Sequence, residues 1–124
     1  MMEHIPMSDD RVVGIRVDGT IREDDLRAMV GVIEEKLTRH EKLRAYVEVV
    51  RLGGIEPRAL FEDVKLGLKH WDRFERKAAV TDAQWMAKVA EVVSPLFPSI
   101  EVRVFPVSER DAAIRWIGEG DADG

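Results

Sequence analysis

The sequence predicts an α/β domain built as a mixed sheet of four to five strands with about four helices. Three observations predict it. Segments whose apolar residues alternate with period two take turns along the chain with segments whose apolar residues recur at three and four. The inner strand segments carry apolar residues on both parities, as strands covered on both faces require. The order strand, helix, repeated four times, builds such sheets, because each crossover covers a face and is right-handed.

Val13, Ile15 and Val17 fall on one parity of a first clear strand over 11–17, and Asp18-Gly19 carries turn chemistry that would close it. A short partner strand at 2–6 would reach it through a hairpin at Ser8-Asp9-Asp10. Leu26, Met29, Val30, Ile33 and Leu37 then line one stripe of a helix over 21–39. Its start has two readings. Thr20 with Glu23 forms a capping-box pattern, while Glu23, Asp24 and Asp25 sit where the helix dipole favours negative charge. Residues 43–50 read as a central strand, and Arg51 to Glu56 as its loop. Pro57 suits the first turn of a second helix through residue 71, with Phe61, Val64, Leu68 and Trp71 on one stripe. Residues 77–82 make a compact inner strand, and Asp82 or Ala83 begins a third helix with Trp85, Met86 and Val89 inward as far as Ser94-Pro95. Ile100, Val102 and Val104 alternate with Glu101 and Arg103, the pattern of a half-exposed strand at or near a sheet edge. Ser108 then caps a last helix with Ala113, Trp116 and Ile117 inward.

With 124 residues the chain can hold one packed core and not two, so residues 1–118 are expected to form a single domain. The polar, glycine-rich end at 119–124 is expected to be disordered. The absence of cysteine excludes disulfides, thiolate catalysis and cysteine-ligated metal centres, and fits a reducing compartment. A net charge of −5 has the wrong sign for a binder of phosphate backbones, so no nucleic-acid partner is expected. No apolar run approaches the length of a membrane span, and the start lacks the order of a secretion signal, so a soluble, cytoplasmic protein is expected.

The chain resembles the SpoIIAA-like family, small bacterial α/β domains related in fold to STAS modules such as anti-sigma-factor antagonists. The residues that carry the resemblance are Val13 to Gly19, Ala59 to His70, the run Phe74-Glu75-Arg76-Lys77-Ala78-Ala79-Val80-Thr81-Asp82-Ala83-Gln84-Trp85, Glu101 to Phe105, and Ala112 to Ile117. The resemblance implies partner binding through the STAS relatives, and lipophilic-ligand binding through a likeness to the lipid-carrying CRAL-TRIO fold. It does not carry over the phosphorylation switch of the antagonists. Those have a serine after a central strand, whereas Val50 to Pro57 holds no serine, threonine or tyrosine. Arg22 also stands where the family tends to place a threonine cap.

Candidate chemistry is sparse. His4, His40 and His70 lie far apart and have no partner at a recognised metal spacing, so no metal or other cofactor is expected. Ser8, Ser94 and Ser108 lack the Gly-x-Ser-x-Gly elbow of a hydrolase nucleophile. Gly53-Gly54 occupies the place where open α/β sheets receive ligands, but matches no phosphate loop and reads first as a turn. Asp18 and Asp82, both ending strands, could share one rim with Arg51 as an acid–base pair, or could simply make a turn and a helix cap. Lys65, Lys69, Arg73, Arg76 and Lys77 concentrate positive charge that could steer an acidic partner or form a solvated face.

The leading expectation is a non-enzymatic regulatory or protein-interaction domain. The alternative is a carrier or sensor holding a small lipophilic ligand in an apolar cleft between the second and third expected helices. Phe61, Val64, Leu68, Trp71, Trp85 and Met86 would line that cleft. Base rates also favour a two-fold homodimer, with the strand at 100–105 and Trp116 as interface parts.

Overall fold

A single five-stranded sheet in the order β1-β2-β3-β4-β5 organises the chain. The computed structural model describes residues 2–55, 73–82 and 101–119. Its elements are β1 (Met2–Ile5), β2 (Val12–Ile21), α1 (Glu23–Leu37), β3 (Leu43–Ile55), β4 (Phe74–Val80), β5 (Glu101–Phe105), a 3-10 turn at Val107–Glu109 and α2 (Arg110–Gly118). The expected helices at 57–71 and 82–93 and most of the expected tail lie outside the described residues.

β1 and β2 form the expected antiparallel hairpin, with Ile5 opposite Gly14. Glycine is required there. An added Cβ would run into the Ile5 carbonyl oxygen and come within 2.8 Å of Met7 Cγ. The remaining neighbours are parallel. β5 lies at one edge, where Glu101 and Arg103 are exposed and Val102 and Val104 half-buried, as the alternation of the sequence requires, while Phe105, on the exposed parity, is buried.

Two sequence expectations are corrected. Asp18-Gly19 does not end β2, which runs on to Ile21, and 51–55 is not a loop but the second half of β3. The two extensions pair with each other, Asp18 with Arg51 and Ile21 with Ile55, across register shifts at Val17/Asp18 and Gly19/Thr20. Gly19 takes a positive φ of 94°, so the dipeptide that reads as a turn serves an irregular stretch of strand instead. Smaller shifts follow. The strand expected at 77–82 starts at Phe74 and ends at Val80. Ser108 lies inside the 3-10 turn and is not the cap of α2, whose N-cap is Glu109.

α1 begins after Arg22, whose backbone N–H donates to Asp25 Oδ2 at 3.0 Å. The acidic first turn therefore supplies the cap, and Thr20 stays in β2. Leu26, Met29 and Ile33 are buried as the stripe predicts. Met29 and Ile33 pack with Val13, Leu43, Ala45 and Phe74 on one face of the sheet. On the other face Ala113, Trp116 and Ile117 of α2 pack with Val12, Tyr46, Ala78, Val80 and Phe105. Full burial of each such large side chain contributes about 1.5–3 kcal/mol before the entropy of ordering it.

Arginines fasten both ends of this arrangement. Arg44, only 2% exposed, sits beside Arg76 in the β3–β4 register. Arg44 Nη1 donates to the Ile117 carbonyl at 2.8 Å and also to the Glu119 carbonyl, while Arg76 Nη1 donates to the carbonyls of Trp116 (2.8 Å) and Glu119 (2.9 Å). Two guanidinium groups thus meet the negative end of α2, with Glu75 as a counter-charge to Arg44. Arg76 and Arg103 also lie 5.0 and 5.2 Å from the Trp116 ring centre, as cation–π partners. At the hairpin, Asp10 gathers Lys36, Arg39 and His40 from the end of α1. Those bonds, from Arg39 first, then His40 and Lys36, hold its carboxyl well below the usual carboxylate range.

Candidate functional site

The carboxyl ends of parallel strands are where open α/β sheets receive ligands and partners. In this chain the ends of β4 and β5, level with the middle of β3, and the start of α2 build such a rim. Arg16 on β2 is opposite Glu48 on β3, and Tyr46 lies two residues earlier on the same face. Tyr46 Oη donates to Glu48 Oε2 at 2.7 Å, Arg16 Nη2 reaches Glu48 Oε1 at 3.3 Å, and Arg110 Nε from the first turn of α2 reaches Glu48 Oε2 at 3.0 Å. A buried carboxylate would be costly alone. Here two guanidinium groups and a phenol satisfy it.

This network shapes its members. Burial first, then the hydrogen bond to Glu48 and after it that carboxylate's charge, push the Tyr46 phenol well above its ordinary range. Glu48 and Tyr46 hold Arg110 above its ordinary value. Arg16 Nε is buried without an acceptor, so the cluster has one donor more than it uses. Its chemistry is that of a fixed knot, one carboxylate between two guanidinium groups, that ties α2 to β3.

Just beyond it the surface turns apolar. Val50, two residues after Glu48 on β3, is 63% exposed; Val107 is 49% exposed and Ile114 37%. They are the large hydrophobic residues exposed among the described ones. Asp82, at the end of β4, accepts a hydrogen bond from the Val107 N–H at 3.0 Å and so fixes the turn that presents Val107.

The sequence-predicted candidates fare unequally. Phe61, Val64, Leu68, Trp71, Trp85 and Met86, the residues of the expected apolar cleft, lie outside the described residues, as do His70, Lys65 and Lys69. Trp116 is buried on Phe105, with ring centres 5.9 Å apart. Arg73 donates to the Glu41 carbonyl at 2.7 Å, and Arg76 is spent on the end of α2. Asp18 lies in β2 and Asp82 just past the end of β4, on opposite sides of β3, and Asp82 is engaged with Val107. His40 is bonded to Asp10. Among the described residues no three histidine, aspartate or glutamate side chains converge as metal ligands, and no helix is long and apolar enough to cross a membrane.

Arg16, Glu48 and Arg110 escape a reading based on motifs. The available signal is parity. Arg44, Tyr46 and Glu48 place three polar groups on one face of a strand whose other face is apolar, which marks an internal polar layer.

The SpoIIAA-like family model matches residues 12–118. Among solved structures, an uncharacterised protein of the DUF3478 family with a SpoIIAA-like fold, from Shewanella loihica PV-4, is similar at 23% identity and a TM-score of 0.75. The match covers 94% of this chain and 92% of that one. No functionally curated protein matches.

Proposed function

Because the chain belongs to the SpoIIAA-like family, with a STAS-like fold, we propose that it is a non-catalytic interaction domain that regulates a protein partner through the surface formed by the middle of β3, around Val50, and the start of α2. The observation that carries this reading is the contrast at that surface. The polar groups there are bound to one another around Glu48, while Val50, directly after the buried or half-buried residues 43–49, faces solvent. Groups held in a closed ion-pair knot are poor proton donors and acceptors for a substrate. An exposed apolar group beside a rigid helix start is suited to burial against a second surface.

The segment from Val50 to Pro57 has no hydroxyl residue to phosphorylate, so regulation in this reading comes from binding itself and not from a charge switch at that segment. The chain's lack of cysteine accords with work in the cytoplasm. The lipophilic-carrier alternative depends on residues outside the described ones, and nothing at the described rim favours it. Affinity capture from native cells with the wild-type chain and with Val50→Asp tests the proposal. A specific partner held by the first and lost by the second is expected. Equal recovery with both chains, or no specific partner, would overturn it.

A further inference from the structure

We propose that β5 pairs antiparallel with β5 of a second copy of this chain, joining the two sheets across a two-fold axis at Val102. The inference is independent of the surface around Val50 and starts from the edge of the sheet. β5 is the last strand in the order, and neither proline, lysine nor a bulge in its register with β4 blunts it. The Thr81 N–H donates to the Phe105 carbonyl, so that carbonyl faces β4. Backbone groups alternate sides along a strand, which turns the N–H and C=O of Val102 and Val104 toward the open edge.

Charge then selects the register. A two-fold axis normal to the sheet keeps every side chain on its own face, so it must lie at a residue that faces its own copy. At Glu101 or Arg103 it would set two like charges opposite each other. At Val104 it would place Val102 opposite Pro106, which has no N–H to give. At Val102 it sets Glu101 of each copy opposite Arg103 of the other and lets the two outward Val102 backbones exchange a pair of hydrogen bonds. This arrangement also meets a need of Arg103. Its guanidinium lies 5.2 Å from the ring centres of both Phe105 and Trp116, and among the described residues no carboxylate pairs with it. Glu101, with a side chain 64% exposed, reaches Arg76 of its own copy through Oε1 at 3.3 Å and keeps its other oxygen for Arg103 of the second. Trp116 is buried beneath Arg103 and takes no part in the contact. β1, at the opposite edge, has no such match: Glu3 and His4 are neighbours on opposite faces, so no register of β1 with itself sets one against the other.

Light scattering of the full chain over a concentration series should show a mass rising from 14.1 kDa toward twice that value. Glu101→Arg sets like charges opposite at both paired positions and should weaken the dimer about tenfold. Glu101→Arg with Arg103→Glu restores opposite charges and should bring the dimer back, with circular dichroism confirming that each variant keeps the fold. The chain has no cysteine, so Val102→Cys gives a readout that does not depend on these charges. Hydrogen-bonded facing residues lie about 5.5 Å apart between Cα atoms, within disulfide range, and mild oxidation should yield a covalent dimer. Val104→Cys should yield none, because this register separates the two copies of position 104 by about 13 Å along the strand. The mass of one chain at every concentration, dimerisation of Glu101→Arg as strong as that of wild type, or cross-linking through position 104 and not 102 would each overturn the proposal.

Discussion

Tyr46 offers the sharpest test of the buried knot, because it is the chain's single tyrosine and its signal is unambiguous. It is 1% exposed, and its hydroxyl donates to Glu48 at 2.7 Å. Tyr46→Phe removes that donor and leaves Glu48 with Arg16 and Arg110. A hydrogen bond to a charged group is worth about 1.5–3 kcal/mol, and the remaining partners put the loss near the lower end. For a domain of this size that lowers Tm by roughly 5–10 °C. The sign of the pH effect is also fixed. The folded phenol is held above its unfolded value of about 10, so its contribution is fully present below pH 10 and is lost as pH rises beyond it. Thermal unfolding by circular dichroism measures the first effect, and tyrosinate absorbance during an alkaline titration the second. Tyrosinate should appear only together with unfolding. Reversible ionisation near pH 10 in the folded protein, or a Tyr46→Phe variant within about 0.5 kcal/mol of wild type, would refute the reasoning.

Other outcomes follow from the same packing. Arg44→Met should cost about 1–3 kcal/mol in urea unfolding, because it leaves the buried Ile117 carbonyl without its donor, while Glu75 is exposed enough to be solvated. Gly14→Ala should destabilise by about 1–3 kcal/mol, since the added methyl meets the Ile5 carbonyl and Met7. Gly19→Ala should cost about 1–2 kcal/mol through its positive φ. The depressed carboxyl of Asp10 contributes stability that is present above about pH 4 and lost as pH falls toward its folded value. Acid titration of Asp10→Asn should show a shallower loss, and high salt should narrow the difference.

Much of the architecture is legible in the residues. The hairpin at 2–17, the α1 stripe, the edge character of β5 and the inward set Ala113, Trp116 and Ile117 all follow from periodicity, because each face must be either wet or dry. The errors have local causes. Asp18-Gly19 carries the same dipeptide chemistry whether it ends a strand or bends one, and only the partner strand decides between them. Gly53-Gly54 looks like a loop for the same reason, yet it lies in β3, where Gly54 pairs with Thr20. The carboxylate of Asp82 also accepts from the distant Val107 N–H, a contact that no local pattern announces. The knot at Glu48 joins residues from three elements across 94 positions of chain, from Arg16 to Arg110, a separation at which no spacing motif operates.

The central claim is that the middle of β3, around Val50, and the start of α2 form the surface this domain presents to a partner. Hydrogen exchange of the chain alone and in complex with a captured partner tests it most directly. The account predicts slowed exchange around Val50 and from Val107 to Ile114, with the outer face of α1 unchanged. Protection confined to α1, or none at the rim, would contradict it.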